Sequence, residues 1–208
     1  QWEDAEIMVL LQVMYTDLDF IATFNIEPEV LQQFLFEVYR HYNNIPFHNF
    51  KHCFCVTQMM YGLIWLTDLK SKMENIDLLI MLTSAVCHDL DHTGYNNAYQ
   101  VDPSPTLSAL EEDSVLCILA TDMTRHNEIL NKFKSILPGF DFTNKEHKDL
   151  LMMVLIKVSD ISNEARPMEV AEPWLDCLLQ EFFNQVPTNG LQNISSCFSS
   201  AEDQISFR

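Results

Sequence analysis

Apolar residues recur at helical spacing along nearly the whole chain. Between residues 3 and 20, Ile7, Leu10, Leu11, Met14 and Leu18 share one helical face. Pro28 stands where a second helix begins, a position at which its missing N–H costs little, and Leu31, Phe34, Leu35 and Val38 continue the stripe. A long helix is predicted from His48 to Leu69, carrying His52, Val56, Met60 and Leu63. The next, Leu78 to Asp89, takes Asp77 as its cap. Residues 114–136 read as helical and Pro138-Gly139 as a turn, and Thr143 with Glu146 forms a capping box that opens a helix through Val158. A last helical region runs from Asn163 to Asn184. Thr93 to Pro105 is rich in turn formers and reads as loop, and from Pro187 onward the chain is polar without a period. No repeat, heptad seam or hairpin signal interrupts this pattern, which predicts an all-α, multi-helix domain.

Three of these apolar helices deliver His or Asp at or near an end: His48-Asn49-Phe50-Lys51-His52, His88-Asp89-Leu90-Asp91-His92 and Ser159-Asp160. Four apart, His48 and His52 fall on one helical face. Taken singly, each residue has an ordinary reading: a histidine at helical spacing is most often a satisfied core or surface residue, and Asp160 reads as a cap or turn residue. The combination of HNxxH, HDxxH and a later Asp points instead to a metal site, because a carboxylate at the end of an apolar run is costly unless it is paired or ligated. Imidazole with carboxylate suits zinc, manganese or iron, and carboxylate with water suits magnesium. Paired ions of this kind make hydroxide near neutral pH and clamp the oxygens of a phosphoryl displacement. An imidazole beside them can protonate the leaving alkoxide.

Charge narrows the partners. The 208-residue chain carries a net charge of −18, with a pI near 4.5, so it repels nucleic acid and acidic lipid surfaces. Divalent ions would reverse that field locally for a small anionic substrate. Only four glycines argue against a glycine-rich phosphate loop. The cysteines at 53, 55, 87, 117, 177 and 197 include no CxxC pair and read as free thiols in a reducing compartment. No signal sequence opens the chain and no apolar run is long enough to span a bilayer, so the expectation is a cytoplasmic protein without membrane insertion.

The strings HNFKH, HDLDHTGYNN, TDMTRH and VSDISNEARPMEVAEPW resemble the catalytic domain of the class I 3′,5′-cyclic-nucleotide phosphodiesterases. That family's HDxxHxxxxN signature is complete in His88, Asp89, His92 and Asn97. HNFKHCFCV and SNEARPMEVAEPWLDCLL bring the resemblance nearest to the family's type 9, high-affinity cGMP-specific branch. It implies hydrolysis of a cyclic nucleotide, cGMP or also cAMP, to the 5′-monophosphate in cyclic-nucleotide signalling. It implies Zn²⁺ at a tight site held by His52, His88, Asp89 and Asp160, with Mg²⁺ or Mn²⁺ at a second site bridged by Asp89. His48 would be the acid at the leaving O3′, and His92 would orient water at the metals. Asn163, Thr121 and Asp122 would lie at the substrate.

Two departures from the family pattern stand out. Where family members carry a helical segment whose glutamate supports the second metal's water shell, this chain has only Val101 to Ala120, and Glu111 is the candidate for that role. After Phe183 the family continues into helices with a purine-binding glutamine and a phenylalanine clamp; Gln192, Gln204, Phe198 and Phe207 do not stand in that context. The expected organisation is a phosphodiesterase domain over 1–183, shortened between 101 and 120, and a divergent tail over 184–208. Apolar faces opened by the shortening predict self-association, a homodimer included, and the missing glutamine and phenylalanine clamp predicts weak activity and weak discrimination between cGMP and cAMP. Two other functions follow from the same residues: a shortened isoform that binds metal without turnover, and a different HD-type phosphohydrolase.

Overall fold

The structure is a computed structural model that describes residues 2–95 and 109–185, with the backbone alone over 109–112. Among the described residues there are nine α-helices and no strand: α1 Asp4–Asp17, α2 Phe20–Thr23, α3 Pro28–His41, α4 Phe50–Leu66, α5 Asn75–Cys87, α6 Ala109–Ala120, α7 His126–Ile136, α8 Lys145–Asp160 and α9 Met168–Asn184. Four of them close a ring, in which α4 packs on α5 and α8, and α6 packs on α5 and α8. Met60 and Ile64 of α4, Leu78, Met81 and Leu82 of α5, and Ile156 of α8 are fully buried there, with Ile7 and Leu11 of α1 in the same core. Burying such side chains contributes about 1.5–3 kcal/mol each, which is what makes the helical stripes of the sequence converge.

Several predicted ends move, each for a local reason. The helix expected from His48 begins at Phe50, because Asn49 is its N-cap and accepts from the N–H groups of Lys51 at 2.9 Å and His52 at 3.2 Å. His48 therefore stands outside α4, and the two histidines do not share a helical face. Asp77 is not the cap of α5: Glu74 is, and Asp77 completes the capping box three residues later. The box expected at Thr143 is replaced by Asn144, whose side chain accepts from His147 N. The helix expected over 114–136 is broken at Asp122, whose carboxylate accepts from Thr124 N at 2.8 Å and opens a 3-10 turn, Met123–Arg125.

The last helix packs apart from the main core. Leu178 and Phe182 of α9 bury against Phe47, in the segment before α4. The 3-10 turn Ile161–Ala165, between α8 and α9, touches α4, α8 and α9. The expected loop from Thr93 to Pro105 lies outside the described residues beyond Tyr95, as does the tail beyond Gln185. Cys53, Cys55, Cys87, Cys117 and Cys177 are free, and no described helix is long and apolar enough to cross a membrane.

Candidate metal centre

Three helix ends meet on one side of the ring. Asn49 puts His52 in the first turn of α4, His88 caps the C-terminus of α5, and Asp160 is the last residue of α8. His52, His88, Asp89 and Asp160 offer ligand atoms that all lie within 4.8 Å of one another. His88 Nε2 is 3.0 Å from Asp89 Oδ2, 3.3 Å from Asp160 Oδ1 and 3.4 Å from His52 Nε2. His52 Nε2 is 3.0 Å from Asp160 Oδ1 and 3.5 Å from Asp89 Oδ2.

The protons decide what this cluster can hold. His88 Nδ1–H donates to the Ala85 carbonyl at 2.9 Å, so in the neutral ring Nε2 carries the lone pair. Among the described residues no donor reaches the buried Asp89 Oδ2, although His88 Nε2 is in contact with it. Acceptors facing one another in a buried site repel unless a cation stands between them. Two imidazoles and two carboxylates suit a borderline divalent ion such as zinc, so the residues fit the metal that the sequence implied. Without an ion, protons take its place. Burial works to lower His88, but Asp89 and Asp160 outweigh it and hold the imidazole well above its ordinary value. Burial likewise opposes both carboxylates, yet the histidines hold Asp89 and Asp160 below the usual carboxylate range. Of the two imidazoles, only His52 is lowered, because its burial outweighs the neighbouring carboxylates.

A second cluster lies beside the first. Glu181 of α9, 1% exposed, accepts from Phe47 N at 2.9 Å and His48 N at 3.1 Å through Oε2, while Oε1 meets His48 Nδ1. The His48 ring stacks on His92 at 4.1 Å and 21°. His92 Nδ1 accepts from Gly94 N at 3.0 Å, so its proton sits on Nε2. Gly94 has φ +81°, a left-handed conformation that favours glycine, and an added Cβ would lie 3.6 Å from Glu181. Burial lowers His48, but Glu181 and the Asp residues outweigh it and raise the imidazole. Burial and the neighbouring His48 lower His92. His48, His92 and Glu181 also lie within 4.8 Å of one another. Near-parallel rings aim their in-plane lone pairs side by side, however, and the Glu181 carboxylate is already filled by N–H groups. This is a set for holding and moving a proton.

The remaining sequence candidates fall differently. Thr121 and Asp122 form the turn after α6, where Thr121 donates to Ile118 O at 2.7 Å, and neither joins the His/Asp cluster. Lys157, buried in α8, anchors that turn by donating to the carbonyls of Ala120 at 2.8 Å and Asp122 at 3.1 Å. Asn163 is buried against His52. Glu111 lies in α6, but its side chain is outside the described residues, as is Asn97. Sequence reasoning missed Glu181; its signal was a lone carboxylate between Leu178 and Phe182 on the buried stripe of α9. It also missed Phe47 and Trp174, whose rings lie 4.7 Å and 6.1 Å from His52 and wall it on the apolar side.

The sequence profile of the 3′5′-cyclic nucleotide phosphodiesterase family matches residues 47–116 and 110–205, which contain every residue of both clusters. The high affinity cGMP-specific 3′,5′-cyclic phosphodiesterase 9A of Drosophila melanogaster is 48% identical over 223 residues, covering 89% of this chain and 15% of that protein. The Homo sapiens protein of the same name is 44% identical over 222 residues, covering 88% and 37%. The chain thus spans well under half the length of these relatives. The aligned stretch exceeds the 208 residues of this chain, so the relatives carry positions that it lacks. In fold, the phosphodiesterase domain of the RhoPDE fusion protein from the choanoflagellate Salpingoeca rosetta superposes with a TM-score of 0.79, covering 99% of this chain and 74% of that one at 24% identity. Matched by the family profile over well more than half its length, the chain belongs to the 3′5′-cyclic nucleotide phosphodiesterase family.

Proposed function

We propose that the chain hydrolyses a 3′,5′-cyclic nucleotide, cGMP with a weak preference over cAMP, to the 5′-monophosphate, as a cytoplasmic enzyme of cyclic-nucleotide signalling. The observation that carries this reading is a buried cluster of two imidazoles and two carboxylates short of a donor, set beside an imidazole that neighbouring carboxylates raise above its ordinary value. The names of the two relatives support cGMP. His52, His88, Asp89 and Asp160 would hold Zn²⁺, and Asp89 would also face a second ion, Mg²⁺ or Mn²⁺. The ions supply Lewis acidity toward water and the phosphoryl oxygens.

The chain's own residues do the rest. Glu181 fixes the His48 ring by accepting a hydrogen bond from Nδ1–H, and His48 gives up a proton from Nε2 to the leaving O3′. His92, its Nδ1 filled by Gly94 N–H, offers Nε2–H to water at the centre. Phe47 and Trp174 exclude water from the apolar side of His52. Thr121, Asp122 and Asn163 are the substrate-side residues of this reading, and Glu111 is the candidate that would support the second ion. The phosphodiesterase domain is shortened between 101 and 120, a reading supported by alignments longer than the chain, and its uncovered apolar faces would favour a homodimer.

Steady-state assays of cGMP, cAMP and a generic phosphomonoester with Mn²⁺ test the proposal. Turnover of cGMP above the other two is the expected result; turnover of the phosphomonoester alone overturns it. The positions that relatives have and this chain lacks favour one second reading, a chain that binds metal without turnover, for which all three assays would be blank while metal is retained.

A further inference from the structure

His52 and His88 present Nε2 to the same carboxylates, yet their Nδ1 atoms have different partners. His88 Nδ1–H has the Ala85 carbonyl of its own helix. His52 Nδ1 has Asn163, whose Nδ2 lies 3.3 Å away. The Asn163 amide is 6% exposed, and among the described residues no donor reaches its Oδ1. As drawn, the amide serves a His52 with its proton on Nε2, donated to Asp160 at 3.0 Å. That tautomer has no lone pair for a metal ion. An imidazole that ligates through Nε2 carries its proton on Nδ1 and needs an acceptor there. Rotating the amide by half a turn exchanges two atoms of nearly equal size and puts Oδ1 in that place.

We propose that Asn163 is a positioning residue for His52, its side-chain carbonyl accepting the Nδ1 proton and so fixing the tautomer that offers Nε2 to the metal. One amide thereby serves both forms of His52, donating to Nδ1 in one and accepting from it in the other. The surrounding contacts hold it there. Arg166 straps the Asn163 turn to α4, the helix that carries His52, through Cys55 O at 3.1 Å and Gln58 Oε1 at 3.2 Å, and its N–H donates to Asn163 O at 3.3 Å. Asn163 lies three residues after Asp160, so a single turn delivers both a ligand and the group that sets its partner's tautomer.

The inference rests on the metal-centre reading, and zinc affinity by chelator competition separates the two. Asn163→Asp keeps an acceptor in either orientation and should bind zinc at least as tightly as wild type. Asn163→Leu keeps the bulk without the acceptor and should bind about 10–100-fold more weakly. Equal affinity of Asn163→Leu and wild type overturns the role of Asn163, as does weak binding by Asn163→Asp. Folded wild type that binds no zinc overturns the metal centre itself. Should Asn163→Leu fail to fold, the ¹⁵N shifts of the His52 ring in zinc-loaded wild type decide: a proton on Nδ1 supports the proposal, and a proton on Nε2 overturns it.

Discussion

Two clusters of His and carboxylate lie side by side in this molecule, each with ligand atoms within 4.8 Å, and they differ in how their protons are placed. In the first, the His88 Nδ1 proton is spent on its own helix, and Nε2 turns to Asp160 Oδ1 and to Asp89 Oδ2, which no donor reaches among the described residues. In the second, the carboxylate of Glu181 is filled by two backbone N–H groups and one imidazole, and the rings of His48 and His92 stack in parallel. Residue type is the same in both. What differs is which nitrogen is left free and whether the carboxylate already has its protons. The first arrangement suits a cation; the second suits a proton held for transfer.

The largest effect that follows is loss of the ion. His52→Ala or Asp160→Ala removes one of four ligands and should abolish zinc retention by the purified protein in elemental analysis. Zinc should also raise the thermal midpoint of wild type, by about 2.7 kcal/mol of added stability at a hundredfold excess over Kd, and leave that of both variants unmoved. The same substitutions in the second cluster should behave oppositely. His48→Ala should keep its zinc and lose about 10²–10⁴-fold in turnover. Equal loss of metal and turnover there would erase the distinction between the clusters.

A smaller effect sharpens it. His48 is raised above its ordinary value by Glu181 and the Asp residues against the pull of burial, and its acid form therefore persists to higher pH. Turnover should fall as pH rises through the His48 value. Glu181→Gln removes the main raising group, so that alkaline limb should move to lower pH. Stability follows the same signs. The raised His48 stabilises below its unfolded value and loses that contribution as pH rises through its folded value. Glu181, which His48 lowers against the pull of burial, stabilises above its unfolded value and loses that as pH falls through its folded one. The pair therefore contributes fully between about pH 4.3 and 6.5, where Glu181→Gln should cost most in denaturant midpoint.

The smallest effect concerns the frame that carries the first cluster. Lys157→Met leaves the carbonyls of Ala120 and Asp122 without their ammonium donor and should cost about 1.5–3 kcal/mol. Zinc affinity should stay near wild type, since Lys157 touches no ligand; a large drop would mean that the turn after α6 also shapes the centre.

The four residues of the His/Asp cluster were legible in the sequence because they stand at or near the ends of apolar helices, where a polar residue is conspicuous, within strings that resemble the family's motifs. Asn49 sat inside the HNxxH string, but its role as the cap that expels His48 from α4 was not visible, since the hydrophobic period runs on past it. Glu181 was hidden for the opposite reason. It lies 133 residues from His48, and only the packing of Leu178 and Phe182 on Phe47 brings them together. Spacing reveals what one helix arranges; pairs set by tertiary packing need the fold. The tautomer of His52 belongs to the same class, because its partner lies 111 residues away.

Anomalous diffraction at the zinc edge from crystals grown with zinc tests the central comparison most directly. The account predicts a peak enclosed by His52, His88, Asp89 and Asp160, within about 2.0–2.2 Å of each ligand atom, and none between His48 and His92. A folded protein with no peak among the first four residues, or with its peak between His48 and His92, would contradict it.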